Sequence, residues 1–185
     1  MTHIVRRVLS NEYGKYRTHL KSLDVNSRYL RFGFTVSDAV IDKLCDEFEK
    51  NTSDHILFCV ENDDLAFVAV GHIALVGGME LAFSVLSEYQ GRGMGNSLMH
   101  RCIQWCRTNG ILKGCMVCLS HNKVIRHLCI KHGIHFHTEH GETSAEVELD
   151  KPGVDTYINE GIDSNLAMID YLGKRFHLPW SFTTK

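Results

Sequence analysis

The segment between Val85 and Gly95, VLSEYQGRGMG, carries the strongest chemical signal in this sequence. It joins an apolar, strand-like pattern to a helical pattern, and Gly91, Gly93 and Gly95 alternate at its end. Glycine adopts turns that other residues resist, and it lets the backbone approach a ligand closely. Backbone N–H groups that converge at a helix N-terminus bind phosphate through unsatisfied donors and the helix dipole. The segment therefore predicts a phosphate-binding loop, in which Arg92 adds a charge-assisted contact.

Residue spacing argues against two other kinds of phosphate loop. A nucleoside-triphosphate loop ends in Gly-Lys-Ser/Thr, whereas Asn96 and Ser97 follow Gly95 here. A dinucleotide fingerprint has the spacing Gly-x-Gly-x-x-Gly in a parallel βαβ unit, and neither the spacing nor the predicted strand order fits. A glycine-rich turn that binds no ligand remains as the structural alternative.

The loop sequence QGRGMG at Gln90–Gly95 resembles the Gln/Arg-x-x-Gly-x-Gly/Ala signature of the GNAT superfamily of N-acetyltransferases. The resemblance is closest to the branch that acetylates protein lysines, and it covers residues 1–150. Three further stretches carry it: the central-strand sequence MELAFSV at Met79–Val85, the first helical region at Leu23–Phe32, and a second motif with Asn122, Leu128 and Gly133-Ile134.

The resemblance implies acetyl-CoA, or a close acyl-CoA relative, as cosubstrate and no metal. Its pyrophosphate would lie on the loop formed by Gln90, Gly91, Arg92, Gly93, Met94 and Gly95. Pantetheine would lie between two splayed strands and pair with the backbone near Val85, as an added strand does. Asn122 would bond the pantetheine arm, because an Asn at a helix start offers both donor and acceptor. A simple helix cap is the alternative role for Asn122.

Acyl transfer to an amine requires a neutral amine, a stabilised oxyanion and a departing thiolate. Glu80 matches the glutamate of the family's central strand and is the candidate base. Strand alternation places Glu80, Ala82 and Ser84 on one face, unless a bulge changes the phase, and a solvated strand-end glutamate is the alternative. Backbone N–H near Val85 is the candidate oxyanion donor. Where many members have a tyrosine that protonates the thiolate, this chain has Cys129, either a weak acid or a small core residue.

Apolar periodicity predicts the elements that position these residues. Their order indicates an α/β protein of the α+β kind, with a mixed, largely antiparallel central sheet flanked by helices and, as the resemblance implies, splayed central strands. The predicted strands are His3–Leu9, His55–Val60, Leu65–Leu75, Met79–Leu86, Leu112–Leu119, Ile134–His140 and Ser144–Leu149. The predicted helices are one capped by Ser10, one capped by Ser37, and those at Gly95–Asn109, Asn122–His132 and Asp163–Arg175.

Length and charge narrow the functional classes. The 185 residues suit one domain at 1–150, followed after the break Lys151-Pro-Gly by a C-terminal extension at 151–185. The formal net charge of -2 does not indicate an excess of basic residues that would attract nucleic acid or an anionic membrane. Neither an apolar run long enough for a membrane span nor a signal-peptide core is seen, so we expect a cytoplasmic protein.

Cysteine and histidine spacing gives only weak metal signals. Cys115 and Cys118 form a single C-x-x-C pair inside a strand pattern, and a zinc site usually needs a second pair. His135 and His137 share a strand face, but no partner with a defining spacing accompanies them. Buried thiols and a polar strand face are the preferred interpretations, and no metal is predicted.

These observations predict an N-acetyltransferase that transfers acetyl from acetyl-CoA to a primary amine of a small molecule or of a protein lysine. Acceptor pockets are built from variable loops, here Arg28–Thr35 and the chain beyond Asp150. A homodimer is compatible with the sequence. The alternative, motivated by Cys129, is a non-catalytic acyl-CoA-binding regulatory module. A nucleotide- or nucleic-acid-binding protein is disfavoured by the charge and by the loop sequence.

Overall fold

The computed structural model describes residues 3–119, 121–139 and 142–178, with only the backbone course at residues 118, 135–139 and 142–144. A seven-stranded sheet forms its centre, in the order β1-β2-β3-β4-β5-β7-β6. The strands are β1 (Arg6–Arg7), β2 (His55–Glu61), β3 (Phe67–Ala74), β4 (Met79–Val85), β5 (Lys113–Leu119), β6 (His135–Glu139) and β7 (Glu142–Glu148).

Six α-helices surround this sheet in the described part of the chain. They are α1 (Tyr13–Ser22), α2 (Val25–Phe32), α3 (Asp38–Lys50), α4 (Met94–Thr108), α5 (Lys123–Lys131) and α6 (Val154–Arg175). Local sequence explains several of their ends. Asp24 caps α2 by accepting from Ser27 N at 2.7 Å, and Ser37 caps α3 by accepting from Val40 N at 3.4 Å. Gly33 ends α2 in the left-handed conformation, at φ +79°.

The sheet is antiparallel except at one junction, where β4 and β5 run parallel. The predicted β2-β3-β4 meander and the mixed, largely antiparallel fold class are confirmed. Helix α4 packs on one face, where Leu98 and Met99 join the same core as Leu81. Helices α1 and α3 cover the other face, where Tyr16 and Ile41 pack in a second core. Strands β2 and β3 are buried on both faces, which explains their nearly continuous apolar runs.

The C-terminal helix α6 lies against α4 and β1. Arg101 of α4 pairs with Glu160 and donates to Ser164 Oγ at 2.7 Å. Lys174 pairs with Asp170 at 2.8 Å and donates to Glu61 O at 3.2 Å. No helix in the described ranges is long and apolar enough to cross a lipid bilayer. The domain boundary at residue 150 stays a prediction.

Several element boundaries differ from the sequence predictions. Strand β1 covers Arg6–Arg7 alone, and Ser10 opens a 3-10 turn rather than capping a helix. The Arg6 guanidinium is buried here and pairs with Glu12 of this turn at 2.7 Å. Helix α6 begins at Val154 instead of Asp163. The segment Arg28–Thr35, proposed as an acceptor loop, is helical as far as Phe32, in agreement with the helical region that the resemblance implied at Leu23–Phe32.

Candidate active site

The site is built on a gap between β4 and β5. These strands pair only at Met79 with Gly114 and at Glu80 with Cys115. A Cβ at Gly114 would lie 2.3 Å from Met79 O, so only glycine allows the strands to approach this closely. Beyond Glu80, β4 stays paired with β3 and β5 with β7. The central strands therefore splay, as expected, and leave an open groove along one edge of β4.

The backbone of β4 presents hydrogen-bonding groups to this gap. Leu86 N–H donates to Val68 O of β3 at 2.9 Å. Because N–H directions alternate along an antiparallel strand, the N–H groups of Val85 and Phe83 point away from β3, towards the gap. The expected role of Val85 in binding an extended ligand is consistent with this direction.

The glycine loop follows β4 and enters α4. Gly91 and Gly93 have φ values of +74° and +87°, and Gly93 occupies the N-cap of α4. Gly95 lies inside the first helical turn, and a Cβ there would be 3.2 Å from Leu128 Cδ1. The first two glycines are therefore needed for backbone conformation. The third is needed for the packing of α4 on α5.

The loop offers unsatisfied donors at the start of α4. Within the described residues, the N–H groups of residues 91–95 donate to no acceptor, and the first bonds run from Asn96 and Ser97 to Gly93 O. Arg92 is exposed, and its Nη2 donates to Glu88 O at 2.8 Å. Free N–H groups, a helix dipole and an exposed cation are the features through which helix N-termini bind anions.

Helix α2 anchors the loop. Gln90 Nε2 donates to Ser27 Oγ at 3.2 Å and to Val85 O at 3.1 Å. The Ser87 hydroxyl donates to the Asp24 carboxylate. Hydrogen bonds from Ser87 and Ser27 lower the pKa of Asp24. Sequence reasoning missed Asp24, Ser27 and Ser87 as loop supports. An aspartate before an apolar-periodic segment signals a helix start, but not its contact with a loop 63 residues away.

Glu80 lies at the narrow end of the gap, and its carboxylate is exposed. The register of β4 with β3 is regular, so no bulge changes its phase. Glu80 therefore shares a face with Ala82 and Ser84, opposite the buried Leu81. Burial raises the pKa of Cys115, and the nearby charge of Glu80 raises it further. No ion pair occupies the Glu80 carboxylate within the described residues.

Asn122 and Cys129 lie at the start and near the end of α5. Asn122 Oδ1 accepts from Ile125 N at 3.2 Å, so its oxygen caps the helix. Cys129 is fully buried, and its Sγ lies 3.7 Å from Met116 Sδ. The position that carries a tyrosine in many GNAT proteins therefore faces the core here.

His19 and Ser84 form a buried pair that sequence reasoning did not identify. Ser84 Oγ and His19 Nε2 are 2.8 Å apart, and His19 Nδ1 lies 2.8 Å from Phe67 O. A carbonyl only accepts, so Nδ1 carries the proton and Nε2 accepts from Ser84. Burial lowers the pKa of His19 to about 4, which keeps the imidazole neutral at pH 7. The pair fixes the end of β4 next to Val85. Its members are 65 residues apart, and no local pattern links them.

The structure describes the side chains of only some of the cysteines and histidines considered as metal ligands. The described residues contain no group of three or more His, Cys, Asp or Glu side chains arranged to hold an ion. The side chains of Cys118, His135 and His137 lie outside the described residues.

An open cavity of about 640 Å³ lies between α4, β7 and α6, and no residue of the glycine loop lines it.

Comparisons with known proteins agree on one family and fold. A family model described as Acetyltransferase (GNAT) family matches residues 24–134, which include α2, the gap strands, the glycine loop and α5. No curated protein matched this sequence.

Solved structures of acetyltransferases superpose on most of the chain. The GNAT domain of S. lividans PAT is 19% identical, with a TM-score of 0.64 over 78% of this chain and 89% of that one. The paia N-acetyltransferase from Thermoplasma acidophilum, solved with coenzyme A, is 15% identical, with a TM-score of 0.59 over 80% and 99%. The putative acetyltransferase yncA from Salmonella typhimurium, solved with acetyl-CoA, is 14% identical, with a TM-score of 0.60 over 81% and 95%. At these identities the likeness shows the fold.

Proposed function

Since the chain belongs to the GNAT family of acetyltransferases, we propose that it transfers an acetyl group from acetyl-CoA to a primary amine. The observation that carries the proposal is the open gap between β4 and β5, which leads directly to the unsatisfied N–H groups of residues 91–95. Such a gap accepts an extended arm, and such a loop accepts its phosphates. The two solved structures named with coenzyme A or acetyl-CoA have the same fold and support this choice.

Each part of the site has a role in the proposed reaction. The loop from Gln90 to Gly95, with Arg92, binds the pyrophosphate, and the β4 edge pairs with pantetheine. Val85 N–H donates to the thioester oxygen as negative charge develops there. Glu80 accepts the amine proton, directly or through water, as the new C–N bond forms and the C–S bond breaks. Asn122 donates its amide N–H to the pantetheine arm.

The proposed acceptors are amines of small molecules or protein lysines, and the PAT domain motivates the second class. A non-catalytic acyl-CoA-binding module is the second candidate function, because the position where the resemblance implies a proton-donating tyrosine is the buried Cys129. Turnover separates the two: acetyl-CoA binding without CoA release, across a broad amine panel, would favour the module.

Acetyl-CoA is expected to raise the thermal unfolding temperature, because a ligand that binds only the native state stabilises it. At one hundred times its dissociation constant the gain is about 2.7 kcal/mol. Differential scanning fluorimetry with acetyl-CoA, CoA and longer acyl-CoAs measures this. Pantetheine, which lacks the pyrophosphate, is expected to give a smaller shift. The absence of a shift with every acyl-CoA would contradict the cofactor assignment.

Cys129→Ala is expected to change the rate of transfer by less than about tenfold, because a general acid contributes about 10²–10⁴-fold and this thiol lies in the core. Cys129→Tyr, which restores the common family residue, is expected to destabilise the fold, because overpacking a core costs about 1–3 kcal/mol. Steady-state rates and thermal unfolding of both variants provide the check. A folded, more active Cys129→Tyr protein would show that the position faces the cofactor.

A further inference from the structure

Arg31 differs from three other arginines of the fold that are at least partly buried. Arg6, Arg28 and Arg101 each pair with a carboxylate. Arg31 is half-buried on α2, and no carboxylate of the described residues pairs with it. A partly desolvated cation without a counter-charge is costly for a folded protein. The position therefore calls for an anion from outside the described chain.

The groups around Arg31 are neutral. Its Nη2 lies 3.2 Å from Tyr16 Oη and 3.2 Å from His72 Nδ1. A guanidinium only donates, so His72 Nδ1 accepts, and His72 Nε2 then donates to His55 Nδ1 at 3.1 Å. Burial lowers the pKa of His72, and the charges of Arg31 and His55 lower it further. Arg31 Nε is buried and has no acceptor in the described residues. The guanidinium thus has an unsatisfied donor and no carboxylate partner in the described residues.

Arg31 lies over the face of the sheet that carries Glu80. Helix α2 packs on β4 and β5. His72, which contacts Arg31, pairs across β3 and β4 with Ala82, two residues from Glu80. Side chains in such a diagonal relation on one sheet face lie about 7–8 Å apart. Arg31, through its contact with His72, therefore lies on the same side of the sheet as Glu80.

We propose that the acceptor is a small amine that also bears a carboxylate, in the manner of an amino acid. Arg31 binds the carboxylate. The ammonium group first loses one proton to solvent to give the neutral amine. Glu80 then receives the second proton as the C–N bond forms, the C–S bond breaks and CoA leaves as thiolate. The inference rests on the proposed function and refines its acceptor. Arg31 and Glu80 lie on one face of the sheet and do not pair with each other. Their opposite charges match the carboxylate and the ammonium group of a zwitterion.

Matched acceptors provide the first test. Glycine, β-alanine and γ-aminobutyrate are each compared with the carboxamide in which the carboxylate is replaced by an uncharged CONH₂ group. CoA release is measured at saturating acetyl-CoA. We expect kcat/KM for at least one carboxylated amine to exceed that of its amide by about 10- to 100-fold, the range for hydrogen bonds to charged groups. Equal rates for all three pairs, or preferred turnover of a lysine peptide over every free amino acid, would overturn the proposal.

Variants provide the second test. Arg31→Gln is expected to abolish the preference for carboxylated amines, measured as the ratio of kcat/KM for each acid to kcat/KM for its amide, and to keep the acetyl-CoA thermal shift. Arg31→Lys keeps the charge and is expected to keep part of the preference, so it serves if Arg31→Gln fails to fold. Arg17→Gln removes the same charge from a half-buried position on α1, where Arg17 pairs with Asp46 at 2.6 Å, and is expected to keep the preference. Unaltered selectivity in a folded Arg31→Gln protein would contradict the assignment.

The outcomes distinguish this inference from the proposed function. Turnover of uncharged amines without a carboxylate preference would overturn the role of Arg31 and leave acetyl transfer intact. No acetyl-CoA binding and no turnover with any amine would overturn the proposed function and the inference with it.

Discussion

Replacing Glu80 with Gln is expected to lower kcat by about 10²–10⁴-fold, the usual contribution of a general base. The amide has nearly the same size as the carboxylate but cannot accept the amine proton. Glu80 is exposed and forms no ion pair in the described ranges, so the substitution removes no structural contact that would confuse the result. Steady-state rates at saturating amine, measured across pH, test the prediction.

The control for this experiment is Glu47→Gln on α3, which changes an equally exposed carboxylate far from the gap. It is expected to keep the parent rate. The thermal shift with acetyl-CoA is expected to be the same for Glu80→Gln as for the parent, because Glu80 contacts no part of the proposed phosphate site. Unchanged rates for Glu80→Gln at every pH would assign the base to another group.

Gly93→Val is expected to weaken acetyl-CoA binding by about 100-fold or more. The residue has φ +87° at the N-cap of α4, where a β-branched side chain is strained. Its side chain would also stand among the N–H groups that face the phosphates. Losing two charge-assisted hydrogen bonds, at about 1.5–3 kcal/mol each, accounts for an effect of this size. Isothermal titration calorimetry with acetyl-CoA measures the change in Kd.

A matched control separates strain from ligand contact. Gly110 has φ +74° at the opposite end of α4, with open space around its Cα. Gly110→Val introduces the same kind of backbone strain, about 1–2 kcal/mol, and is expected to lower the unfolding temperature without changing the Kd. Normal acetyl-CoA affinity in a folded Gly93→Val protein would show that the loop has been assigned to the wrong ligand.

Residues close together in sequence account for the predictions that were confirmed. The β2-β3-β4 meander follows from short polar links between apolar strands, and the start of α4 follows from the glycines before it. The family follows from the loop and from the strand before it. The same local reasoning did not reveal the packing constraint at Gly95, where a Cβ would lie 3.2 Å from Leu128 Cδ1.

The sequence by itself determined the fold class, the family, the glycine loop and the face of β4 that carries Glu80, because periodicity, turn residues and motif spacing are local properties. Only the tertiary structure decided which distant groups support and complete the site. The Ser87–Asp24 contact, the His19–Ser84 pair and the neutral surroundings of Arg31 join residues 41 to 65 positions apart. Such contacts arise from the packing of α1 and α2 on the sheet, and no periodicity within one element encodes them. The charge that selects an acceptor is therefore visible only after the helices and the sheet have been placed together.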